Sequence, residues 1–541
     1  MRALAFVLYA SIVTLMPALM VLWAQGDSAP FWLLAGDAYL YLGIGQASPG
    51  WMMSFDGIRA TNGFHPLWQI WVRLVTLVGG SPLNAMALVS GGAVVLTWAG
   101  VLVLGAAIRK MTGFWVLAML AVPGVYYLVI GQMLHNLPVW AFFDGMEAGL
   151  AFFLAALAVW LMLQPGRDLA LGIVLAVLVM TRLDEVFVPL CIGLTVLAWP
   201  GSPLWQRLVR ALRLSVPTVV ALALYVGWSL ATTGLPLPVS GMVKGEGALL
   251  ANGWVTLATF VAPLIDLRSA LTGYEPAREA LLGGAFRVVE LLVPAAFAAV
   301  LAVILWRRHR GVTWAPLVIG LACGVVVKAL YTFGAVHFWH QASWYFAVSM
   351  LVMTLGMAWL LAPAVRFVTQ RRPRAPVWGA LVLGLMTLLH ASVWTSGLMS
   401  DPRRAAQRDF WVAAPTIEAA LRAQDPAIRV LEFGDGMINF SFTFPVRHGF
   451  VFAGDAESLT ALNEGRLLSD SVADGFDVIS SYEYLRVPPG AEAWDSAQIR
   501  AFLSQSFLED RVKVELDAFD YTMLHVDRPS GVPFIRLRPR A

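Results

Sequence analysis

Residues 36–74 read GDAYLYLGIGQASPGWMMSFDGIRATNGFHPLWQIWVRL, a segment that concentrates polar and aromatic side chains in an otherwise apolar sequence. It follows the first apolar run, residues 3–23, and precedes the next long one, residues 83–108. Its polar residues include two carboxylates, an amide and an imidazole, which are Asp37, Asp56, Asn62 and His65. A loop of this composition between two apolar segments predicts a site at a membrane surface.

The overall composition is that of a membrane protein. Hydrophobic residues make up 59% of the 541 residues and charged residues 13%, whereas ordinary soluble domains have about 45–50% and about 25%. The net charge is only +3, and no basic segment interleaved with aromatic residues indicates nucleic-acid binding. Cys191 and Cys323 both lie in apolar runs, so the sequence excludes a disulfide framework and a CxxC redox or zinc motif.

Apolar segments of the right length predict eleven membrane-spanning helices, because the bilayer core requires about 20 apolar residues. Residues 66–79 are too short and follow a proline, so they are expected to form a half-helix at the interface. Residues 3–23 are expected to be a retained helix rather than a signal peptide, because no A-x-A-like site follows. The predicted spans lie near 3–23, 83–108, 112–130, 147–163, 169–181, 186–199, 214–231, 288–306, 312–333, 343–362 and 377–398, where 169–199 is either two short helices or one bent element.

The basic residues predict the orientation. If residues 66–79 do not cross the bilayer, 14 Lys or Arg residues and a single acid, Asp168, fall in loops on one side. Short loops with this bias remain in the cytoplasm, so the N-terminus is predicted inside and everything beyond about residue 399 outside. The basic residues are Arg2, Arg109, Lys110, Arg167, Arg207, Arg210, Arg213, Arg307, Arg308, Arg310, Arg366, Arg371, Arg372 and Arg374.

The other polar loop residues then belong to the outer face. Lys328 lies inside a span, six residues before Gly334, which is about 9 Å from the outer end at 1.5 Å per residue. Ionisable residues at this depth usually face a wet cavity or a charged partner, so we expect a polar cavity that opens to the outside. Besides the first loop, the outer residues are His135, Asn136, Asp144, Glu147, Arg182, Asp184, Glu185, Lys244, Glu246, Tyr274, His337, His340 and Trp344.

The last part of the chain has the composition of a small soluble α/β or α+β module. The predicted domains are therefore a transmembrane domain, residues 1–398, and an outer module, residues 399–541. The glycines of FGDGM are too few to predict a phosphate-binding loop. The predicted elements of the module are a helix at Ile417–Arg422, a strand at Arg429–Phe433, a strand and turn in GFDVISSYEYL, and a strand pair at Val512–Leu516 and Tyr521–Val526.

Residues of the first outer loop also have structural interpretations when each is taken alone. Asp37 suits the N-cap of a helix over residues 38–47. Asp56 followed by glycine suits an ordinary turn. His65 followed by proline suits a helix start. The alternative is a set of catalytic and binding groups, since a carboxylate beside apolar rings at a bilayer surface can serve as a general base.

The charged residues of the later loops leave similar alternatives. Arg182 and Asp184 form either an ion pair at a helix end or part of a site. Lys328 has no acid within one helical turn in sequence, so a phosphate would suit Lys328 together with Lys244, although Lys328 can also snorkel.

Two further observations concern a pair of histidines and the membrane face on which the polar loops lie. His337 and His340 have the i, i+3 spacing of metal ligands but lack a neighbouring carboxylate or cysteine. Five loops spread over three hundred residues carry acids, imidazoles and cations to one face, which a single outward-facing active site explains better than separate helix caps do.

The segment GDAYLYLGIGQ...FDGIRATNGFHPLW resembles the first outer loop of the GT-C superfamily, polytopic glycosyltransferases that use lipid-phosphate sugars. It is most similar to the bacterial branch that contains arabinofuranosyltransferases of the mycobacterial type. The resemblance covers most of residues 1–360, does not extend to 399–541, and implies a GT-C-like fold with interfacial helices in the first outer loop. Further motifs of the branch follow in order: DGMEAGL at 144–150, TRLDE at 181–185, PVSGMVK at 238–244 and WYF at 344–346.

The resemblance implies an inverting transfer from a polyprenyl-phosphate sugar to an acceptor at the outer face. The branch has a pair of aspartates where this chain has Gly36-Asp37, so the implied catalytic base is either Asp37 or Asp56, and binding of a divalent metal such as Mg or Mn stays open. The implied ligands of the donor phosphate are Lys244, Arg182, Lys328 and His340. The implied substrate-binding residues are Asn62, His65, Glu147, Asp184, Trp344 and Tyr345.

The implied partners are the lipid-linked donor, a glycan or exported-protein acceptor, and the bilayer, without nucleic acid. The implied location is the bacterial inner membrane, with the outer module in the periplasm. The sugar is arabinofuranose, mannose or another. A lipid-linked sugar flippase or membrane transporter is the alternative, but it requires polar residues through the midplane or inverted repeats, and the sequence shows neither.

Overall fold

The computed structural model describes residues 2–122, 140–200, 202–244, 248–253, 292–307, 312–337, 343–372, 374–506, 508 and 510–540. The chain divides into two compact units, each assembled from three separate stretches. Unit 1 comprises Met1–Ala24, Gly91–Leu224 and Lys244–Met399, and unit 2 comprises Gln25–Ser90, Tyr225–Val243 and Ser400–Ala541. The C-terminal module thus belongs to the same unit as the first outer loop, and the division into residues 1–398 and 399–541 stays a prediction.

Apolar helices dominate the described residues and confirm the class of polytopic helical membrane protein. The half-helix predicted after His65 is also present, as Pro66–Val78. Because residues 123–139 lie outside the described part, the total of eleven spans stays a prediction. Six described helices are long and apolar enough to cross a membrane: Ala3–Leu33, Pro82–Thr112, Leu204–Thr233, Ala315–Ala335, Ala347–Arg371 and Ala375–Met399. Shorter apolar helices are Pro66–Val78, Ala148–Met162, Asp168–Thr181 and Leu292–Arg307.

The remaining helices are short or belong to the outer loop and the C-terminal module. The helix predicted at Ile417–Arg422 is the last part of a longer one, Pro402–Gln424, which begins at an Asp401 N-cap. The others are Ala29–Leu33, Gly36–Ala47, Trp115–Ala118, Trp140–Phe143, Phe187–Ala198, Val239–Val243, Met437–Ser441, Ala456–Asn463, Leu467–Ala473, Ser496–Gln505 and Asp510–Lys513.

The stretch between residues 169 and 199 forms two helices rather than one bent element. The first ends before Arg182, whose extended backbone (φ −146°, ψ 112°) interrupts the helical hydrogen bonds. A 3₁₀ turn, Leu183–Val186, leads into the second helix. At 1.5 Å per residue the two helices are about 21 Å and about 18 Å long, and each is shorter than the bilayer core of about 30 Å. A polar junction therefore separates two short apolar helices inside unit 1.

Residues from several predicted inner loops lie at the same end of unit 1. Arg210 Nε and Asp168 Oδ1 form an ion pair at 3.0 Å. The ammonium of Lys110 lies 5.2 Å from the ring centre of Trp160. These contacts join chain segments that the arginine bias assigns to one side, whereas the location of that side in the cytosol stays a prediction.

The C-terminal part of unit 2 is built on a five-stranded mixed sheet, in agreement with the predicted α/β module. The strands are β1 Val430–Glu432, β2 Val446–His448, β3 Val478–Ser480, β4 Phe519–Asp527 and β5 Val532–Pro539, in the order β2-β1-β3-β5-β4. β1 is parallel to β2 and β3, whereas β5 is antiparallel to β3 and β4. The three parallel strands are buried throughout.

One predicted strand pair is wrong. Residues Val512–Leu516 do not pair with β4, whose partner is β5, and helix Asp510–Lys513 begins this stretch instead. The reason is visible in the sequence, because Leu508, Val512 and Leu516 recur every four residues, as the buried positions of a helix do. All three are buried in the core of the module.

Candidate active site

Acidic residues occupy the carboxyl edge of the sheet in unit 2. β1 and β3 are parallel neighbours, so the loops that follow them leave the sheet at the same edge. The loop after β1 carries Asp435 and the loop after β3 carries Glu483. In open α/β sheets ligands usually bind at this edge. The topology therefore brings together two acids that are 48 residues apart in sequence.

Helix Gly36–Ala47 of the first outer loop packs on this acidic edge. A Cβ at residue 36 would overlap the carboxylate of Asp435 and lie 3.0 Å from Glu483 Oε1. Gly436 has φ +90°, and a Cβ there would lie 2.6 Å from the backbone nitrogen of Leu40. Glycine has neither the Cβ nor the steric restriction on positive φ. The two glycines therefore permit close approach of helix and edge, immediately before Asp37.

The carboxyl groups at the edge are coupled to each other. The backbone N–H of Asp435 donates to Glu483 Oε2 at 2.8 Å, and the two side chains also hydrogen-bond to one another. Burial and the neighbouring Asp435 raise the pKa of Glu483 well above its usual range. Glu432 accepts hydrogen bonds from the N–H groups of Ile438 and Asn439, yet burial raises its pKa to about 7. Glu483 therefore keeps its proton to a higher pH than an exposed carboxyl group does.

Asp37 lies in the first turn of helix Gly36–Ala47 and is partly buried. Its interpretation as an N-cap is wrong, because the helix begins earlier than predicted and Ala35 holds the N-cap position without a side-chain hydrogen bond. A carboxylate in a first turn is favoured by the helix dipole. His65, in contrast, is the N-cap residue before Pro66, which confirms the predicted helix start.

Asp56 makes the contacts of a turn residue. Its Oδ1 accepts hydrogen bonds from Ser54 Oγ at 3.2 Å and from the N–H groups of Ile58 and Arg59, both at 2.8 Å. Its Oδ2 lies 3.7 Å from Arg447 Nε. These contacts confirm the turn interpretation, since an Asp side chain that bonds the backbone two and three residues further on closes such a turn.

Asn62 anchors the first outer loop within unit 2. Its Nδ2 donates to Ser229 Oγ at 2.7 Å and to the Leu237 carbonyl at 2.8 Å. Its Oδ1 accepts from the Val239 N–H at 3.0 Å. Both amide donors and the acceptor are thus engaged inside the protein, and these contacts favour a structural role over the substrate-binding role that the resemblance implies.

Arg182 is the centre of a buried ion cluster in unit 1. Its side chain is 1% exposed. The guanidinium pairs with Glu147 through Nη1, and with Asp184 through Nε and Nη2 at 3.1 and 3.0 Å. This two-fold contact confirms the predicted Arg182–Asp184 ion pair. It also means that two carboxylates already hold the guanidinium that was expected to bind phosphate.

Lys328 belongs to the same cluster and is nearly as buried. Its ammonium pairs with Glu185 and with Asp184 Oδ2, the latter at 3.2 Å, and donates to the Tyr345 carbonyl at 2.9 Å. An ammonium has three donors, so all of them have protein partners. The acid that is missing near Lys328 in sequence is Glu185, 143 residues away. Tertiary structure therefore balances its charge without a phosphate.

Lys244 contacts the cluster through Tyr345 and is only partly buried. Its Nζ donates to Tyr345 Oη at 3.5 Å. The guanidinium carbon of Arg182 lies 4.3 Å from the centre of the same ring, a cation–π arrangement. The N–H of His337 donates to the Lys244 carbonyl at 3.1 Å. Within unit 1, residues of four separate motifs thus meet, as a shared site requires.

Some predicted site residues lie beyond what the structure describes. His340 is outside the described residues, as are His135, Asn136, Glu246 and Tyr274, and the side chain of Trp344 is not described. Among the described residues, no group of three or more His, Cys, Asp or Glu side chains could hold a metal ion.

Sequence reasoning missed Asp435 and Glu483. The signal was present, because FGDGM and SSYEYL each follow a predicted strand directly. Recognising it required knowing that the two strands are parallel neighbours, since only then do their following loops meet. The pairing of β1 with β3 supplies this information.

Comparison with known proteins gives structural similarity only. No protein family and no curated protein matches the sequence. The chain is similar to the oligosaccharyltransferase of Archaeoglobus fulgidus, solved with zinc and sulfate, at 12% identity and a TM-score of 0.45, over 96% of this chain and 71% of that one. It is also similar to ArnT from Cupriavidus metallidurans, solved bound to undecaprenyl phosphate, at 14% identity and a TM-score of 0.45, over 97% of both chains. Similarity of this degree transfers no activity to this chain.

Proposed function

We propose that this protein is an inverting glycosyltransferase of the GT-C type, which moves a sugar from a polyprenyl-phosphate donor to an acceptor hydroxyl at the outer face of the membrane. The observation that carries the proposal is the position of Asp37. It lies next to Gly36, which contacts the acids at the carboxyl edge of a sheet, the usual place for a ligand in such folds. The sequence resemblance supports the same reaction.

In the proposed reaction Asp37 is the general base. Its carboxylate takes the proton of the acceptor hydroxyl while the hydroxyl oxygen attacks the anomeric carbon of the donor. The bond from that carbon to the phosphate oxygen breaks, the electron pair leaves with the polyprenyl phosphate, and the configuration at the carbon inverts. A positioned base contributes about 10²–10⁴-fold to such a step. Asp56 is the weaker candidate because its Oδ1 already closes a turn.

We assign the leaving phosphate to Lys244. Negative charge grows on the phosphate as the bond breaks, and a fixed cation stabilises it. Lys244 is partly exposed and donates to the phenol of Tyr345, whereas Lys328 and Arg182 are buried among carboxylates. The role of those two is therefore to fix Tyr345, beneath the guanidinium of Arg182 and with its carbonyl on the ammonium of Lys328.

The Asp435–Glu483 pair is proposed to position Asp37. Because the pKa of Glu483 is raised, its carboxyl group stays protonated over a wider pH range, and the pair then carries less negative charge than two ionised acids. The pair fills the place beside Gly36, the residue before Asp37, where no side chain is present. His65 and Glu147 complete the set that the resemblance implies for the substrates.

The finer assignments follow the sequence resemblance. The donor sugar is proposed to be arabinofuranose, and the acceptor a cell-envelope glycan or an exported protein. The reaction is placed on the periplasmic side of the bacterial inner membrane, where no nucleotide sugar is available and the donor has to be carried on a lipid. This agrees with the absence of nucleotide-binding motifs from the sequence.

The experiment uses the purified full chain, radiolabelled polyprenyl-phosphate arabinofuranose and a crude envelope extract as acceptor. Asp37→Asn is expected to lower incorporation by about 10²-fold or more, because it removes the base. Asp27→Asn is the matched control, since Asp27 is an exposed acid in the same unit. Equal incorporation by wild type and Asp37→Asn would refute the assignment of the base. Transport of intact labelled donor into vesicles, without incorporation, would instead favour the flippase.

A further inference from the structure

One fully buried acid of unit 2 has no role in the function proposed above. Glu432 is the last residue of β1 and is 0% exposed. The charged side chain with the largest effect on it is another acid, Asp435. Removing a carboxylate from water without a cation beside it costs free energy. The position of Glu432 therefore favours the protonated, neutral carboxyl group.

Both oxygens of Glu432 bind the helix Met437–Ser441, which follows β1. Oε1 accepts from the N–H of Ile438 at 2.9 Å, and Oε2 accepts from the N–H of Asn439 at 3.0 Å. A helix of five residues is not stable by itself. Its position against the sheet therefore depends on the side chain at the end of β1.

Helix Met437–Ser441 also contacts the first outer loop. Asn439 Nδ2 donates to the Phe55 carbonyl at 2.6 Å. A Cβ at residue 43 would lie 3.2 Å from Asn439 Cγ, so helix Gly36–Ala47 lies directly against this side chain. Contacts thus connect the end of β1, through Asn439, to two parts of the first outer loop.

The groups around Glu432 make a further negative charge unfavourable. A Cβ at residue 434 would lie 3.4 Å from both Glu432 Oε1 and Glu483 Oε2, so the two carboxyl groups border the same space. His448 is the register partner on β2, and its ring lies 5.1 Å from the ring of Phe55. Like charges at such short distances raise the pKa of both acids. The titratable and charged residues of the elements packed around Glu432 are Asp435, Glu483, His448, Asp37, Tyr39 and Arg404.

We propose that Glu432 is a proton-sensitive positioning residue, whose neutral form favours packing of helix Gly36–Ala47 on the C-terminal module. When the helix Met437–Ser441 is in place, the carboxyl group is buried among acids. When this helix leaves the sheet, the carboxyl group meets water and ionises freely. Uptake of a proton therefore favours the packed arrangement, and a rise in pH favours release of the first outer loop.

The titration of Glu432 supports this direction. Burial raises its pKa from the ordinary value of 4.5 to about 7, although the two N–H bonds favour the ionised form. A group with a higher pKa in the packed state stabilises that state fully below about pH 4.5, and this stabilisation is lost as the pH rises through about 7. The pKa of Glu483 is raised as well, so Glu483 contributes in the same direction.

The consequence for sugar transfer rests on the proposed function, whereas the link between protons and packing does not. Asp37 lies in the first turn of helix Gly36–Ala47, so release of this helix displaces the proposed base from the acceptor. Lys244, to which the donor phosphate is assigned, belongs to the other unit. A rise in pH is therefore expected to lower kcat and to leave the KM for the donor unchanged.

Hydrogen–deuterium exchange of the full chain in detergent measures the packing without any substrate. Peptides that cover residues 36–47 and 437–441 are followed at about pH 6 and about pH 8.5, and the rates are corrected for the intrinsic pH dependence of amide exchange. The wild type is expected to lose protection at least about tenfold between these values, since a pKa of about 7 in the packed state and 4.5 in the released state gives this ratio.

Glu432→Gln removes the titration of this side chain and is expected to lower the ratio of protection factors about tenfold, whatever its absolute protection is. Glu464→Gln is the matched control, an exposed acid of the same module, and is expected to keep the wild-type ratio. Asn439→Ala removes the hydrogen bond to the Phe55 carbonyl. It is expected to lower protection at both pH values and to keep the ratio, because Glu432 still titrates.

Protection in the wild type that is equal at the two pH values, or greater at the higher one, would overturn the proposal even if Glu432→Gln does not fold. Equal ratios for Glu432→Gln and Glu464→Gln would also overturn it. The incorporation assay separates the two hypotheses. Transfer whose kcat is the same at both pH values retains the proposed function and refutes the positioning role, whereas a chain with pH-dependent protection that transfers nothing in any form retains the proton linkage and loses the proposed function.

Discussion

Single residues decide how closely the first outer loop approaches the acidic edge. Gly36 stands where a side chain would collide with the Asp435 carboxylate, and Gly436 adopts a positive φ that brings its loop against Leu40. The composition of the loop predicts neither of these two steric requirements. The missing acid at position 36 therefore has a physical reason, since Asp435 occupies the space that its side chain would need.

Gly36→Ala is expected to lower the free energy of unfolding by about 1–3 kcal/mol, the usual cost of overpacking, and to reduce transfer by displacing Asp435 from its place beside Gly36. Thermal unfolding in detergent and the incorporation assay measure the two effects. Gly91→Ala is the matched control, because a Cβ at residue 91 would meet nothing within 4 Å. In a helix interior that change stabilises by about 0.5–1 kcal/mol.

Equal stability and equal activity of the two variants would contradict this prediction. If Gly36→Ala is as stable and as active as Gly91→Ala, the carboxylate of Asp435 moves without consequence, and its position beside Gly36 plays no part in the reaction.

Among the elements, the ends of short helices carry the charges of unit 1. Helix Ala148–Met162 begins after Glu147, and helix Asp168–Thr181 ends at Arg182. The polar junction lies between helices Asp168–Thr181 and Phe187–Ala198. Lys328, from a third helix, forms ion pairs with the acids of this junction. Charges removed from water are stable only when they are paired and hydrogen-bonded. The junction is therefore a closed network that fixes its members.

Lys328→Met is expected to lower the stability of unit 1 by about 3–5 kcal/mol, because it leaves the buried carboxylate of Glu185 without its cation. The added substitution Glu185→Gln should recover part of the loss. Lys110→Met is the control, since Lys110 is exposed and its ammonium lies over the ring of Trp160. Unfolding temperatures in detergent give the relative stabilities of these variants. Similar temperatures for Lys328→Met and Lys110→Met would show that the ion pairs of Lys328 do not stabilise unit 1.

For the whole molecule, the distribution of basic residues concerns the orientation of the helices in the membrane, whereas the order of the chain concerns which stretches pack together. The arginine-rich loops predict which ends of the helices face the cytosol, and this depends on composition alone. Unit 2, in contrast, combines stretches from the beginning, middle and end of the chain. Within it, Phe31 and Trp411 rings lie 5.5 Å apart, and Arg404 donates to the Leu34 carbonyl. The first outer loop and the C-terminal module therefore form a common hydrophobic and polar core.

The predicted orientation is tested with fused reporters. Alkaline phosphatase placed after residue 540 is expected to be active, and a fluorescent protein at the same position dark, because 14 basic loop residues keep the other side in the cytosol. The same reporters inserted beside Arg167 should give the opposite pattern. A fluorescent C-terminal fusion with inactive phosphatase would place the module in the cytosol and exclude a periplasmic reaction.

Local patterns predicted most elements but few contacts. Apolar length gave the helices at 83–108 and 147–163, and the residue before a proline gave the helix start at His65. The strand pair at Val512–Leu516 failed because a helical spacing of buried residues was taken for a strand. For the site, grouping by membrane face placed Arg182 and Lys244 together, and the family resemblance added Tyr345. The structure brings these three residues together.

The sequence by itself determined a polytopic helical membrane protein with a small C-terminal α/β module, because hydrophobic length and strand or helix periodicity are local properties of the chain. Only the tertiary structure decided which charges are balanced and which acids meet. Lys328 finds Glu185 across 143 residues, and Asp435 and Glu483 converge on Gly36 through a parallel strand pairing. Pairing of distant strands and helix ends depends on the packing of the whole chain, which no local pattern encodes.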